Sequence, residues 1–413
     1  MKFLWSYFKK YRLESILAPL FKCLEACFDL AVPVIVAKII DTGIATANKP
    51  YIISRFLLLL AMAVLGLVSS CVAQYFAAKA AIGTAAGLRQ DLLCKIQTLS
   101  CGEVDAVGTS TLITRMTSDV NQVQNGLNMF LRLFMRSPFI VFGAMIMAFT
   151  INARLALIFV IAIAVLFFIV FGVMWLSNPL YKKVQQQLDG VTEATREDLN
   201  GVRVIRAFSR EGEQKKRFAA QNERLLHAQL FVGRVAAIMN PLTYLIVNAV
   251  IIAVLWLGAG KIQNGVLLSG SIIALINYIL QILVDLVKLA NLITQLGRSI
   301  ASMNRVGQVL SLQSGMQFGG GSQPQAGAPA VQFNNVSFCY NGSAEPALQN
   351  ISFTAQKGQT IGVIGGTGSG KTTLANLILR FYDATGGTVL VNGVPVQSLS
   401  KQQLEQAVSA VLQ

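Results

Sequence analysis

The residues best suited to chemistry lie in the stretch VIGGTGSGKTTL, Val363–Leu374. Gly365, Gly366, Gly368 and Gly370 are interleaved with Thr367 and Ser369 and followed by Lys371, Thr372 and Thr373. Consecutive backbone N–H groups converge on phosphate oxygens only where the chain approaches closely and takes unusual dihedrals, and glycine permits both. A helix opening at Lys371 would add the positive end of its dipole. Lys371 offers a point charge to β- and γ-phosphates, and Thr372 offers a hydroxyl to Mg2+. The GxxxxGK[ST] pattern arises by chance in on the order of 1% of chains this long, so a glycine-rich turn without a ligand is a poor competitor.

Other chemistries find little support. There are six cysteines and one histidine, with no CxxC pair and no Cys/His cluster at metal spacing. Cys23, Cys27 and Cys71 lie in apolar stretches; with Cys94, Cys101 and Cys339 they read as free thiols in a reducing compartment. His227 sits in a polar helical segment and reads as a solvated surface residue.

A phosphate loop needs a strand before it and a helix after it. Thr360–Ile364 is a short apolar run that suits a buried strand, and Lys371–Arg380 has helical spacing through Leu374, Leu377 and Ile378. Upstream, Ala330–Tyr340 and Ile351–Ala355 read as strands. Downstream, Gly386–Val396 reads as a hairpin around Asn392-Gly393, followed by a helical piece at Lys401–Val408. Ser314–Ala330, rich in Gly, Ser, Gln, Ala and Pro, has flexible-linker composition and separates this soluble part from what precedes it.

What precedes it is a membrane protein by composition. The 413 residues are 54% hydrophobic and 13% charged, with mean hydropathy +0.57, against about 25% charged residues in soluble domains. A net charge of +15 in so apolar a chain reads as Lys and Arg held on the cytoplasmic side rather than as nucleic-acid binding. Runs without formal charge cover Phe56–Ala78, Ser137–Ala153, Leu155–Tyr181, Val235–Gly260 and Ile262–Val284. Each reaches or approaches the ~20 apolar residues a crossing needs. Leu13–Ile40 makes a sixth span, although Glu14, Lys22, Glu25, Asp29 and Lys38 interrupt it. Lys22, Glu25 and Asp29 share one helical face, which must look into a bundle or an aqueous cavity. These charges interrupt the apolar core and no small-residue cleavage site follows, which argues against a signal peptide. The segment Asn178–Arg234 holds eleven Lys/Arg, Lys79–Gly126 four and the N-terminus four. The intervening loops hold one or two, so the long loops and both ends are expected in the cytoplasm. The long loops carry apolar residues at mostly helical spacing and read as membrane helices continuing past the bilayer.

These residues resemble a known family. FNNVSFCYNGSAEPALQNISFTAQKGQTIGVIGGTGSGKTTLANLILRFYDATGGTVLVNGVPV is similar to the start of an ABC nucleotide-binding domain, and TRMTSDVNQV and EDLNGVRVIRAF are similar to the intracellular loops of ABC exporters. The resemblance covers essentially the whole chain and implies a half-transporter of bacterial multidrug- or lipid-exporter type. The implied fold is an α-helical membrane domain of six transmembrane helices with long cytoplasmic extensions, followed by the start of an α/β P-loop NTPase domain. The implied domains are 1–312, a linker over 313–330 and the incomplete nucleotide-binding domain over 331–413. By the same resemblance Tyr340 stacks on adenine, Gly365, Gly366, Thr367, Gly368, Ser369, Gly370, Lys371, Thr372 and Thr373 form the Walker A loop, and Thr372 and Gln413 serve Mg2+. Segments near Leu112–Gln122 and Gly201–Arg210 look like the coupling helices. ATP and Mg2+ are the implied cofactors. A second half-transporter, an unidentified transported substrate and membrane lipid are the implied partners, with no nucleic acid. The implied location is the plasma membrane, with the nucleotide-binding domain in the cytoplasm.

The family's signature loop, Walker B aspartate, catalytic glutamate and switch histidine have no match in these residues. No catalytic residue is therefore assigned, and the sequence is expected to be a fragment of a longer protein. The first functional reading is an ATP-driven exporter half. The alternative is a truncated, non-hydrolysing membrane subunit with a binding or regulatory role. A membrane-anchored P-loop kinase or GTPase would carry a different sequence after the loop. Lys22 with Glu25, and Asp285 with Lys288, stand three residues apart and read as structural ion pairs more readily than as substrate contacts.

Overall fold

The computed structural model describes residues 7, 9–323, 325, 327–341, 343 and 345–411. The described part is mostly helical, followed by a small sheet flanked by short helices. In order, the helices are α1 (Arg12–Lys38), α2 (Lys49–Thr98), α3 (Cys101–Val107), α4 (Thr109–Ile151, with π-helical turns at Arg115–Asp119 and Phe130–Phe134), α5 (Ala153–Asn200), α6 (Val202–Ala207), α7 (Glu211–Gln263) and α8 (Ser269–Ser311). Then come β1 (Val331–Phe338), β2 (Leu348–Ala355), α9 (Lys371–Ile378), β3 (Gly386–Val391), β4 (Val394–Pro395) and α10 (Lys401–Ala407).

Five helices, α2, α4, α5, α7 and α8, are long and apolar enough to cross a membrane. At 50 residues, α2 spans roughly 75 Å against a hydrocarbon core of about 30 Å, so it must continue past the bilayer. α1 is also a continuous helix of 27 residues; the charges on its inner face keep it out of that set. Large apolar side chains such as Phe168, Trp175 and Trp256 lie on outward faces at 75%, 81% and 81% exposure, as lipid requires.

The chain forms two compact units. One comprises residues 2–82 and 125–298. Its core is alanine-rich: Ala144, Ala148, Ala156, Ala162 and Ala274 surround Phe159, Leu275 and Tyr278. Small residues let helix backbones approach closely where no hydrophobic effect drives them together. Tyr278 donates its hydroxyl to the Leu30 carbonyl at 2.6 Å, joining α8 to α1. The charges of α1 find a counter-ion that its own spacing does not contain. Arg136 at the start of the last segment of α4 reaches Asp29 at 2.8 Å, Asp285 of α8 at 3.2 Å and Glu25 at 3.8 Å. Lys22 pairs with Glu25 at 2.5 Å and donates to Ser70 of α2 at 3.0 Å, and Lys288 pairs with Asp285 at 3.6 Å. Both expected i, i+3 pairs form, inside a network joining four helices.

The other unit comprises residues 83–124 and 299–413. Its sheet is antiparallel, in the order β2-β1-β3-β4. β1 sets Phe333 opposite Phe353 of β2 and opposite Val389 of β3. Phe333, Val336, Phe338, Val389, Val391 and Leu377 fill one core under the sheet. The hairpin from β3 to β4 turns on Asn392 (φ 50°) and Gly393 (φ 77°), the two left-handed positions of a type I′ turn. The expected strands, hairpin and helices form, with one exception. Thr360–Ile364 is not in the sheet, and Ile361, Val363 and Ile364 are 40%, 51% and 98% exposed. A run apolar on both faces needs strand neighbours on both sides, and no described residue pairs with it.

Candidate nucleotide site

The segment Gly365–Gly370 runs as an open loop into α9. Gly368 (φ 85°) and Gly370 (φ 87°) are left-handed. A Cβ on Gly370 would also stand 2.7 Å from the Ala347 carbonyl oxygen, so both conformation and space demand glycine there. The Lys371 ammonium folds back over the loop, donating to the carbonyls of Gly365 at 2.8 Å and Gly366 at 2.6 Å. Among the described residues of the loop, Ser369 alone has a backbone acceptor for its N–H, Gly366 at 3.3 Å. The remaining loop N–H groups have no backbone acceptor among the described residues, and the first turn of α9 adds its own unpaired donors next to the Lys371 cation. That donor set fits a polyphosphate. Thr372, the next residue of α9, is exposed, and its hydroxyl has no hydrogen-bond partner among the described residues. Thr373 is buried, and its hydroxyl is hydrogen bonded to Tyr340 at 3.0 Å. Gln413 lies outside the described residues.

Tyr340 follows the end of β1. Its ring meets Phe338 and Tyr382 edge-to-face, with centroids 4.7 and 5.3 Å away. Tyr382 donates to the Asp105 carboxylate of α3. Burial and the Asp105 charge push the Tyr382 hydroxyl well above the usual phenol range. A continuous chain of contacts therefore runs from Thr373 through Tyr340 and Tyr382 to α3. A cavity of about 420 Å³ opens along it, lined by Tyr340, Tyr382, Phe338, Glu103 and Asp105.

α3 is the short helix that separates α2 from α4, and it lies before the segment expected for the first coupling helix. Leu112–Gln122 instead continues α4. Its signals are in the sequence: Ser100 and Glu103 form a capping box and Gly108, at φ 83°, ends the helix. Glu103 also accepts the Gly315 N–H at 2.8 Å. Burial opposes ionisation of Glu103, but the hydrogen bonds from Ser100 and Gly315 outweigh it and hold the carboxyl below its usual range. The 313–330 segment is held at further points. Arg380, 3% exposed, pairs with Asp383 at 2.9 Å, donates to the Gln317 carbonyl at 2.9 Å and lies over the Phe318 ring at 4.7 Å. Near the second expected coupling segment, the short helix α6 starts after Gly201.

Residues 15–286 match the family of ABC transporter transmembrane regions, and residues 348–413 match the ABC transporter family proper. A Mycobacterium tuberculosis protein described as an uncharacterised ABC transporter ATP-binding protein is 31% identical over 411 residues, covering 98% of this chain and 70% of that protein. One of the same description from Bacillus subtilis is 30% identical over 408 residues, covering 99% and 71%. A Mycobacterium bovis fatty acid ABC transporter ATP-binding/permease protein is 28% identical over 330 residues, covering 79% and 51%. A transmembrane match over more than half of the chain, an ATP-binding match over the segment that builds the phosphate loop, and relatives aligned along nearly its full length agree: the chain belongs to the ABC transporter family, as a half-transporter in which an integral membrane region is fused to an ATP-binding domain.

Proposed function

We propose that this chain supplies one half of a dimeric ABC exporter, driving a substrate outward across the plasma membrane on ATP bound at the loop from Gly365 to Thr373. The observation that carries this reading is the Lys371 ammonium set over the Gly365 and Gly366 carbonyls at the mouth of a loop with free N–H donors. The domains follow as a transmembrane domain over 1–312, a linker over 313–330 and the nucleotide-binding part over 331–413. The positive loops and both ends lie in the cytoplasm.

In this reading the loop N–H groups and Lys371 bind and orient the phosphates, and Tyr340 offers its ring to the adenine. Mg2+, held by Thr372 and Gln413, would neutralise phosphate charge. Hydrolysis needs the signature loop, Walker B aspartate and catalytic glutamate, which are not among these residues. Thr373, Tyr340, Tyr382 and Asp105 carry the state of the loop to α3, and through it to α2 and α4.

The test is Mg2+-ATP binding to the purified full chain, measured by calorimetry. Lys371→Ala is expected to weaken binding roughly tenfold to a hundredfold, the worth of a charge-assisted contact. Equal affinity of the variant and the parent protein would overturn the assignment.

A further inference from the structure

We propose that a groove between the extramembrane parts of α5 and α7 binds an anionic phospholipid, with its acyl chain along the groove and its phosphate on Lys183, Arg224 and His227. The groove has a volume of about 390 Å³; Leu180, Phe231 and Val232 line it together with Lys183, Arg224 and His227. The size is that of a small-ligand site.

Three observations commit it to a lipid of negative charge. The first is charge. The lining includes Lys183, Arg224 and His227 and no carboxylate; Lys182 and Arg234 stand nearby in sequence, as do Asp189 and Glu223, one on each helix. The second is the want of internal partners. Among the described residues, neither Lys183 nor Arg224 has a hydrogen-bonding or carboxylate partner, unlike Arg217, which meets Glu197 at 3.3 Å further along the same helix pair. His227 has Glu223 at 3.9 Å, with both side chains exposed.

The third is level. The uncharged runs end at Tyr181 on α5 and begin at Val235 on α7. At 1.5 Å per residue, Lys183 lies only about 3 Å beyond the first limit. On α7, Arg224 and His227 lie about 16 and 12 Å beyond the second limit, with the apolar stretch Leu230–Val232 between them and the bilayer. The headgroup zone adds roughly 5–8 Å to each side of the hydrocarbon core, and long basic side chains reach into it. An acyl chain can thus leave the bilayer edge along Leu180 and Phe231 while its phosphate meets the three basic groups. Basic pockets of this kind on the cytoplasmic side suit acidic headgroups. The site depends on the membrane level of α5 and α7 and on nothing at the ATP loop, so the two assignments fail independently.

The experiment is native mass spectrometry of the full chain released from detergent after equilibration with phosphatidylglycerol or with phosphatidylcholine. Phosphatidylglycerol adducts are expected in clear excess over phosphatidylcholine. Lys183→Gln should reduce them roughly fivefold, and Lys183→Gln with Arg224→Gln roughly 25-fold, at about one unit of surface electrostatic attraction per charge. Both side chains are exposed, so the variants are expected to fold; unchanged thermal unfolding checks this. As a second variant, Ala228→Leu places bulk in the groove without altering charge and should also displace the lipid. Glycerol phosphate, lacking acyl chains, should not compete at millimolar concentration; if it displaces the lipid, the site is one for free phosphate and the proposal fails. Equal retention of the two lipids, or undiminished retention in the double variant, overturns it. So does a groove that is covered by a second copy, seen as dimers that form at the expense of adducts.

Discussion

Gly370 and Arg136 show two ways in which single residues are required. At Gly370 the demand is local: a left-handed backbone at φ 87° and no room for a Cβ beside Ala347. Gly370→Ala should cost about 1–3 kcal/mol in backbone strain, and thermal unfolding followed by nucleotide binding would record both losses. At Arg136 the demand is electrostatic. Its guanidinium faces Glu25, Asp29 and Asp285 with 13% of the side chain exposed. Removing one partner from a buried ion network leaves uncompensated charge, at about 3–5 kcal/mol. Arg136→Ala is therefore expected to lower the unfolding temperature of the chain in detergent far more than Arg217→Ala, whose partner Glu197 is exposed with it. Equal shifts for the two variants would show that the network contributes no more than a surface pair.

Among elements, α3 is held by few groups of high specificity. Its capping box, the Glu103 contact with Gly315 and the Tyr382 contact with Asp105 are all polar. Tyr382→Phe keeps the ring against Tyr340 and Phe338 while deleting the donor to Asp105. Limited proteolysis should then cut near Gly108 faster, with the sheet still protected. The hydrogen bonds from Ser100 and Gly315 make the Glu103 carboxyl ionise more readily in the folded chain than a free glutamate does. A depressed acid contributes stability that is complete above its unfolded value and is lost as pH falls through the folded one. Protection of the loop should accordingly hold down to about pH 4.5 and decline below it, and Glu103→Gln should flatten that decline.

For the whole molecule, the contact chain Thr373–Tyr340–Tyr382–Asp105 leads to the expectation that nucleotide at the loop alters the surroundings of α3. Cys101, at the first turn of α3, is a native reporter; burial and the neighbouring Asp105 push its thiol up, so it alkylates slowly at neutral pH. Mg2+-ATP should change its alkylation rate several-fold, with peptide mapping to separate it from Cys94 and Cys339. In Tyr382→Phe the rate should no longer depend on nucleotide. A nucleotide effect of the same size in that variant would mean that the signal takes another route.

How much of this was legible without coordinates follows from the range of the forces involved. The loop from Gly365 to Lys371, the Asn392-Gly393 turn and the apolar runs are local patterns, where dihedral freedom, hydrogen-bond geometry and transfer from water act within a few residues. These the sequence by itself determined, together with the i, i+3 pairs of α1 and α8. Three features only the tertiary structure decided. Arg136 became the partner of Asp29 and Asp285 across 107 and 149 residues, because a counter-ion is chosen by which helices pack together. The capping box at Ser100 and Glu103 was readable as a helix start, yet its place against Tyr382 depends on a contact 277 residues away. Thr360–Ile364 has the composition of a buried strand but stands outside the sheet, since a strand is made by its neighbours as well as by its own residues.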